Sequence, residues 1–461
     1  MREATTFDVS AAIEGKKLGR FTVLLVLTSW LVTFFDGYDM NVIAFASKPM
    51  QAAFHLDTLM LTNVLTIGVV GAVIGGFLFG YLGDRFGRRP SIIAATGCFS
   101  VLTLLLALTR TYPELLALRL LNGVALGGAI PLLWALNVEF VPSRFRATVV
   151  TLIMLGYGLG VASAGFIARL ILPAFGWSGV FTFGGAMSFV ATLILVLALP
   201  ESLRFLVGRS NRAVAITRIM GRMGLAPPSG TEQFVISDEA SKAGAPFRIS
   251  MLFKGELRLL TPLLWAAYFA SSMSTFFISS WGPRILEDMH FSADHAAWIA
   301  SLNSLCGMAG GLTVMRFTDR YGPISVAVMP LCAAPLLLTA GLAPMSLAVF
   351  FALGTVIAIF LGGSHYAITS IVGLFYPSAI RANGAGWASS MAKIGSVLGP
   401  FVGGLVLSTG LPVKMTYALL AACPAAYGIC LLAIGLVNHN SRRTSKASPG
   451  TGDPVVASAA E

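Results

Sequence analysis

Asp36 and Asp39 stand three residues apart inside an apolar run, so on a helix they share one face. A charge in a membrane helix costs about 2.5–3.5 kcal/mol on insertion scales, so each must face a cavity or a partner. A carboxylic acid that loads and releases a proton in such a setting is what coupling to a proton gradient requires. The alternative is a structural ion pair near the helix end. Arg119 is the natural partner. From the span ends read below, Asp39 and Arg119 each lie about 10 Å outward of mid-span and Asp36 about 6 Å, at 1.5 Å per residue. Protonating Asp39 would weaken that pair and permit a conformational change. A lone interior arginine also suits a carboxylate ligand, which its planar fork grips bidentately; a charge fixed by packing at a helix start is the other reading. Lys393, near the middle of a later apolar run, offers an anion a point charge, against snorkelling or structural pairing. His365 suits a proton relay or a bond to a ligand hydroxyl, and equally a satisfied core histidine. Trp30, Phe34, Trp134, Tyr157, Tyr268 and Trp387 could stack on an aromatic ring, Tyr157 and Trp387 being the site candidates; packing and interface anchoring compete at each.

The elements that must position these side chains are set by composition. Of 461 residues 56% are hydrophobic and 11% charged, with mean hydropathy +0.81. A soluble domain carries about 25% charge, so a soluble enzyme or nucleic-acid binder is excluded. The net charge of +11 does not point to nucleic acid either, because Lys and Arg fall in short clusters between apolar runs. Charge clusters and Gly/Pro turns divide the chain into twelve spans: 21–43, 60–81, 91–109, 113–139, 147–172 and 177–199, then 259–283, 295–315, 323–342, 345–375, 382–409 and 415–437. At 19 to 31 residues each has the length of about 20 that a bilayer core requires. The expected organisation is a cytoplasmic tail over 1–20, a six-helix bundle over 21–199, a polar cytoplasmic loop over 200–258, a second bundle over 259–437 and a disordered cytoplasmic tail over 438–461. With both termini inside, 24 Lys and Arg lie on the inner side and five outside, which the positive-inside rule favours. The protein is therefore expected in the cell inner (plasma) membrane. The five cysteines lie in apolar segments without close pairs, and five scattered histidines show no metal-ligand spacing, so neither disulfide nor metal is expected. No cofactor loop or nucleophile motif is present, which weighs against a membrane enzyme. The lack of a sizeable soluble domain weighs against a ligand sensor.

An internal repeat runs at an offset of 235. Asp84-Arg85-Phe86-Gly87 maps onto Asp319-Arg320-Tyr321-Gly322; Pro142-Ser143 and Arg146-Ala147 onto Pro377-Ser378 and Arg381-Ala382; Gly160 onto Gly395. Two parallel halves with a site at the midplane between them is a transporter architecture.

With these motifs in place, the chain resembles the major facilitator superfamily over about residues 20–437. Gly80-Tyr-Leu-Gly-Asp84-Arg85-Phe-Gly87-Arg88-Arg89 is similar to its loop 2–3 signature, with the degenerate copy at Asp319-Arg320-Tyr321-Gly322-Pro323, and Arg119-x3-Gly123-x3-Gly127 to its fourth-helix motif. More narrowly, Asp36-Gly37-Tyr38-Asp39 and Tyr376-Pro377-x3-Arg381-Ala382-x-Gly384 resemble the aromatic acid:proton symporters. That resemblance implies an all-α integral membrane protein, two six-helix halves related by pseudo-two-fold symmetry, a monomer, and proton coupling through Asp36 and Asp39. It implies gates built from Gly80, Asp84, Arg85, Gly87, Arg88, Glu139 and Arg146, with Asp319, Arg320 and Arg381 doing the same in the second half. From the sequence, Asp84, Arg85 and Arg88 are expected to face Glu139, and Gly80, Gly83 and Gly87 to allow close helix approach. Where the family usually carries Arg in a G-R-x-G setting, this chain has Ala392-Lys393-Ile394-Gly395, which keeps the charge and loses the fork. Gly395-x3-Gly399-Pro400-x2-Gly403-Gly404 resembles a drug-antiporter motif displaced from span five to span eleven, and is read as helix packing and bending. The implied activity is proton-coupled import of an aromatic carboxylate such as a hydroxybenzoate, protocatechuate, gallate or phenylpropionate, with Arg119, Lys393, His365, Tyr157 and Trp387 in contact with it. Such acids are ionised near neutral pH, cross bilayers slowly and need a carrier. A muconate-like dicarboxylate or a sugar acid remains the alternative, since two cavity cations suit two carboxylates.

Overall fold

The computed structural model describes residues 6–209, 212–225, 233–236, 248–321, 323–344, 346–376 and 380–447. In chain order it contains β1 (Thr6–Asp8), α1 (Val9–Glu14), α2 (Arg20–Phe54), α3 (Thr58–Phe86), α4 (Arg88–Leu106), α5 (Tyr112–Glu139) and α6 (Ser143–Ala198). Then come α7 (Leu203–Val207), α8 (Ala213–Arg222), β2 (Gln233–Val235), α9 (Leu257–Asp288), α10 (Ala293–Tyr321), α11 (Pro323–Leu342), α12 (Leu347–Phe375), α13 (Arg381–Ser408), α14 (Val413–Leu420) and α15 (Ala422–Ala447). Among the described residues ten segments are long and apolar enough to cross a bilayer. The 56-residue α6 breaks at Gly176, where φ of +63° suits a residue without Cβ, and so has the length for two passes. With the 32-residue α9, the helices are consistent with twelve passes.

Contacts divide the chain into two units, residues 1–245, 275–306 and 396–416 in one, and 246–274, 307–395 and 417–461 in the other. In the first, α2 lies along α6 and α3 along α5. Glycines make both approaches possible: a Cβ at Gly37 would collide with the Tyr157 carbonyl, at Gly160 with that of Phe34, at Gly75 with that of Val124, and at Gly127 with that of Ala72. The same unit takes in the ends of α9, α10 and α13 on the face expected to lie outside. Polar side chains bind them there. Lys48 of α2 pairs with Glu287 (3.2 Å) and Asp288 (2.9 Å), Arg284 with Gln51, Ser279 with Asn41, and Arg169 of α6 with Asp294. Gly404 of α13 lies against Thr62, and the Trp281 Nε1–H donates to the Pro400 carbonyl at 2.8 Å. In the second unit α11 lies against α12 and α15, Gly307 and Gly362 meet at an α10–α12 contact, and Gly395 lies on the Phe269 carbonyl.

The first span runs eleven residues beyond its expected end at 43. Lys48 and Pro49 read as a loop, but Lys48 is satisfied by acids on α9 and Pro49 is accommodated within the helix. The midpoint of α2 therefore falls at Gly37, between the two acids rather than inward of them. The helix closes at His55 in the left-handed region, φ +52°; α9 is followed by His290 at φ +69°, the same 235 residues along. Asp57 then caps the next helix by accepting from the Met60 N–H, and Ser292 accepts from the His295 N–H in the equivalent place. The repeat thus extends to its turns, which the motif comparison does not reach.

The segment expected as a polar loop carries α7, α8 and β2. β2 pairs in parallel with β1, aligning Phe7 with Phe234. Val9 and Ile13 of α1 bury against Leu203, Leu206, Ile216 and Ile219, so the amino-terminal stretch is packed rather than free. At the other end α15 continues to Ala447, ten residues past the expected limit. The remainder of the tail lies outside the described residues.

The amino-terminal stretch ends on Glu14, whose carboxylate accepts from the Ser143 hydroxyl and backbone N–H at the start of α6, where a helix favours an anion. Those bonds hold the Glu14 carboxyl below its ordinary value. The contact is therefore present at neutral pH, survives through the usual carboxylate range, and is lost only as pH falls through the lowered value. Glu14→Ala is expected to release the stretch, read as several-fold faster tryptic cleavage after Lys16 and Lys17 at pH 7 in detergent. Unchanged cleavage would show that the apolar anchor alone holds it.

Candidate functional site

The first unit holds a buried polar cluster where α2, α4 and α5 meet. Asp39 and Arg119 are each almost wholly buried, and Arg119 Nη1 lies 3.5 Å from Asp39 Oδ2. The Thr103 hydroxyl donates to Asp39 Oδ1 at 3.0 Å, Asn122 Nδ2 donates to the Thr103 hydroxyl at 2.8 Å, and Arg119 Nη1 donates to Asn122 Oδ1 at 3.3 Å. The four side chains close a ring. Gly68 on α3 leaves the space that the Arg119 guanidinium occupies. Within the ring each charge has a counter-charge and neutral partners, the condition under which buried ions are tolerated. Asp36, one turn earlier, is also buried, yet its Oδ2 has no hydrogen-bond partner. Asp39 Oδ2 likewise makes no hydrogen bond, and what distinguishes Asp39 is the Arg119 charge and the Thr103 hydroxyl beside it. Tyr157 lies on α6 opposite Gly37, its backbone against the helix that carries both acids.

Thr103 and Asn122 are not among the sequence candidates. Asn122 was legible in principle, since it follows Arg119 by three and shares its face. Thr103 gave no signal, being one threonine in a charge-free run.

In the second unit α9 is the common neighbour of the remaining candidates. The Ser271 hydroxyl of α9 lies 3.1 Å from His365 Nδ1 on α12, and the Tyr268 hydroxyl donates to the Ile368 carbonyl one turn away. Trp265 stacks on Trp387 of α13 with centroids 5.6 Å apart. Lys393, half-buried, precedes by two residues the Gly395 that rests on Phe269. His365 and Trp387 thus both contact α9, and Lys393 lies on α13, which packs against it, while Asp36, Asp39, Arg119 and Tyr157 belong to the first unit.

The signature after α3 is built differently from its expected form. Only Arg88 pairs with Glu139; it also donates to the Ala135 carbonyl at 2.6 Å. Asp84 is exposed, and Arg85 bonds the Tyr81 hydroxyl at 2.7 Å while its carbonyl accepts from Arg209. Three residues separate Asp84 from Arg88, so the last turn of α3 carries Asp84 and Arg85 to solvent before Gly87, at φ +107°, redirects the chain. Glu139 is completed by the Ser202 hydroxyl at 2.6 Å, and the Glu201 carboxylate accepts from the Arg88 and Arg89 N–H groups at the start of α4. Glu201 and Ser202 fall in the expected loop, Ser202 lying 63 residues from Glu139 and Glu201 113 from Arg88. Gly80 has open space where a Cβ would sit, so close approach does not explain it, whereas Gly83 meets Leu132 and Gly87 meets Glu201. Arg146 lies near Glu14, at the start of α6. Arg381 donates to the Tyr376 carbonyl at 3.1 Å. The side chains of Asp319 and Arg320, with Pro377 and Ser378, lie outside the described residues.

Long apolar helices with ionisable side chains buried among them define a multi-pass membrane protein whose interior handles charge. The sequence profile described as Major Facilitator Superfamily matches residues 29–260 and 264–459. The chain belongs to that superfamily, and it and its relatives are transporters, not enzymes. It is 30% identical over 430 residues to the gallate transporter of Pseudomonas putida, covering 93% of this chain and 95% of that protein. It is 28% identical over 445 residues to the 4-hydroxybenzoate transporter PcaK of Acinetobacter baylyi, with 95% and 96% covered. Identity to the 3-(3-hydroxy-phenyl)propionate transporter of Escherichia coli is 27%, with 92% and 95% covered. Among solved structures, the xylose transporter XylE from E. coli aligns with a TM-score of 0.68 at 18% identity, covering 95% of this chain and all of that one. A bacterial homolog of the human lysosomal transporter Spinster aligns at 0.66 and 18%, with 94% and 100% covered. At that identity these two speak for the fold alone.

Proposed function

We propose that this chain is a symporter that imports an aromatic carboxylate together with protons, by alternating access, across the cell inner membrane with both termini cytoplasmic. The observation that carries the coupling is the arrangement of Asp36 and Asp39: two buried carboxylates on one helix, one in an ion pair with Arg119 and one with its Oδ2 left without a hydrogen bond. A proton arriving at either removes a buried charge and changes what Arg119 must balance. The substrate class is supported by the names of the relatives, which transport gallate, 4-hydroxybenzoate and a hydroxyphenylpropionate, at near full-length coverage. Lys393 supplies a positive charge for the carboxylate, with Trp387 and His365 as further contacts in the same unit; Arg119 and Tyr157 are the corresponding candidates in the first unit. Arg88 and Glu139, with Gly87, Arg146, Asp84 and Arg85 near them, act as a gate on the inner face, and Asp319, Arg320 and Arg381 are its counterparts in the repeat. The working unit is a monomer.

Proteoliposomes given an inward proton gradient are expected to concentrate labelled 4-hydroxybenzoate, and a protonophore to abolish the accumulation. Unlabelled benzoates should compete and muconate-like dicarboxylates should not. Competition by dicarboxylates alone would replace the aromatic reading. Accumulation indifferent to the protonophore would remove the coupling.

A further inference from the structure

Ser271 and His365 make a side-chain contact between α9 and α12. Ser271 is 1% exposed on α9, and its hydroxyl meets Nδ1 of His365 near the middle of α12. His365 is half-buried, and among the described residues no hydrogen bond reaches its Nε2. A neutral imidazole engaged at Nδ1 has its tautomer and ring plane set by that bond. If the serine donates, Nε2 carries the proton and donates onward; if it accepts, Nε2 accepts. Either way one polar atom is held in position and left available. The contact is braced on both sides: Tyr268 ties α9 to α12 one turn away, and the Tyr366 ring stands edge-on to the imidazole at 6.0 Å. Lys393 is carried by α13, whose Gly395 sits on Phe269 of α9, so one helix packed against α9 offers a cation and another a fixed hydrogen-bonding atom. A hydroxylated aromatic acid carries the complementary pair, a carboxylate at one end and a hydroxyl on the ring.

We propose that Ser271 is a positioning residue that fixes His365 so that Nε2 bonds the ring hydroxyl of the substrate, and that this pair separates hydroxybenzoates from unsubstituted benzoate. The proposal rests on the aromatic-carboxylate reading above. A site built around a hydroxyl discriminates against the analogue lacking it, because a buried polar atom is then left unmet.

The test is the KM for proteoliposome uptake of 4-hydroxybenzoate, 3-hydroxybenzoate and benzoate by the wild type, Ser271→Ala and Ser271→Thr. Ser271→Ala is expected to raise KM for at least one hydroxybenzoate about tenfold, equivalent to about 1.4 kcal/mol, with benzoate KM within about twofold of wild type. Ser271→Thr, which restores the hydroxyl, is expected to recover most of the difference. Equal shifts for all three acids, or no shift for any, would overturn the positioning role while leaving aromatic transport in place. Absence of uptake of all three by the wild type would overturn the reading beneath it, and this proposal with it.

Discussion

Asp39→Asn is expected to abolish concentrative uptake, lowering proton-driven accumulation of 4-hydroxybenzoate at least tenfold, while exchange of labelled for unlabelled substrate stays within about threefold of wild type. The asparagine has nearly the volume of aspartate and its amide oxygen still accepts from Thr103, so the ring keeps its shape. What it loses is the charge opposite Arg119 and the capacity to bind a proton. Removing one member of a buried ion pair costs about 3–5 kcal/mol when the other charge is stranded. Here the Asp36 carboxylate, one turn away and without a partner at Oδ2, is available to take over part of that role. The variant should therefore fold, and mimic the protonated state permanently. Exchange needs only the loaded carrier to reorient; accumulation needs the proton to leave. Asp36→Asn is the companion measurement. If Asp39→Asn concentrates substrate normally, Asp39 is structural and the proton site moves to Asp36 or His365. If both variants do so, the coupling assignment to this helix fails.

Gly75→Ile is expected to prevent folding, seen as loss of a monodisperse peak in detergent or a large fall in Tm. A Cβ there would overlap the Val124 carbonyl, and the neighbouring contacts at Gly71, Gly123 and Gly127 also end on backbone atoms of the opposite helix. A side chain in the way can change rotamer, but a carbonyl held in a helix cannot. Overpacking typically costs about 1–3 kcal/mol, and backbone collision belongs at or above the top of that range. Gly80→Ala, in the same helix with nothing within 4 Å of the new methyl, should be neutral or slightly stabilising through helix propensity. Equal tolerance of both changes would mean that α3 and α5 can separate without cost.

Much of this architecture is written in the chain at the scale of whole helices. Apolar length and the placing of charges locate nearly every pass, because a bilayer admits few other solutions. The pairing of Asp39 with Arg119 is also legible, since two unlike charges in apolar runs have little choice but to meet. Smaller features escape for definite reasons. Lys48 and Pro49 read as a break in the first helix, because the acids that neutralise Lys48 are more than 230 residues away. The strand at Thr6–Asp8 and its partner at Gln233–Val235 are too short to carry periodicity. Thr103 and Asn122 are uncharged, and nothing in spacing distinguishes a threonine that completes an ion-pair ring from one that bonds its own helix. Glu201 and Ser202 complete Glu139 and the start of α4 from a segment that looks like linker.

Gly37 separates the two acids by sitting between them, with the α6 backbone directly behind it, and Gly156 and Gly160 bring that backbone equally close to Trp30 and Phe34. At these three glycines backbone meets backbone, with no Cβ between to absorb a displacement. A change in charge at Asp36 or Asp39 then has no soft local outlet behind α2. Strain created at the carboxylates would then pass along the two helices to their ends, some 25 Å away at 1.5 Å per residue. The glycine between the aspartates would thus act as a mechanical element, converting a protonation at mid-helix into leverage on both faces of the membrane at once.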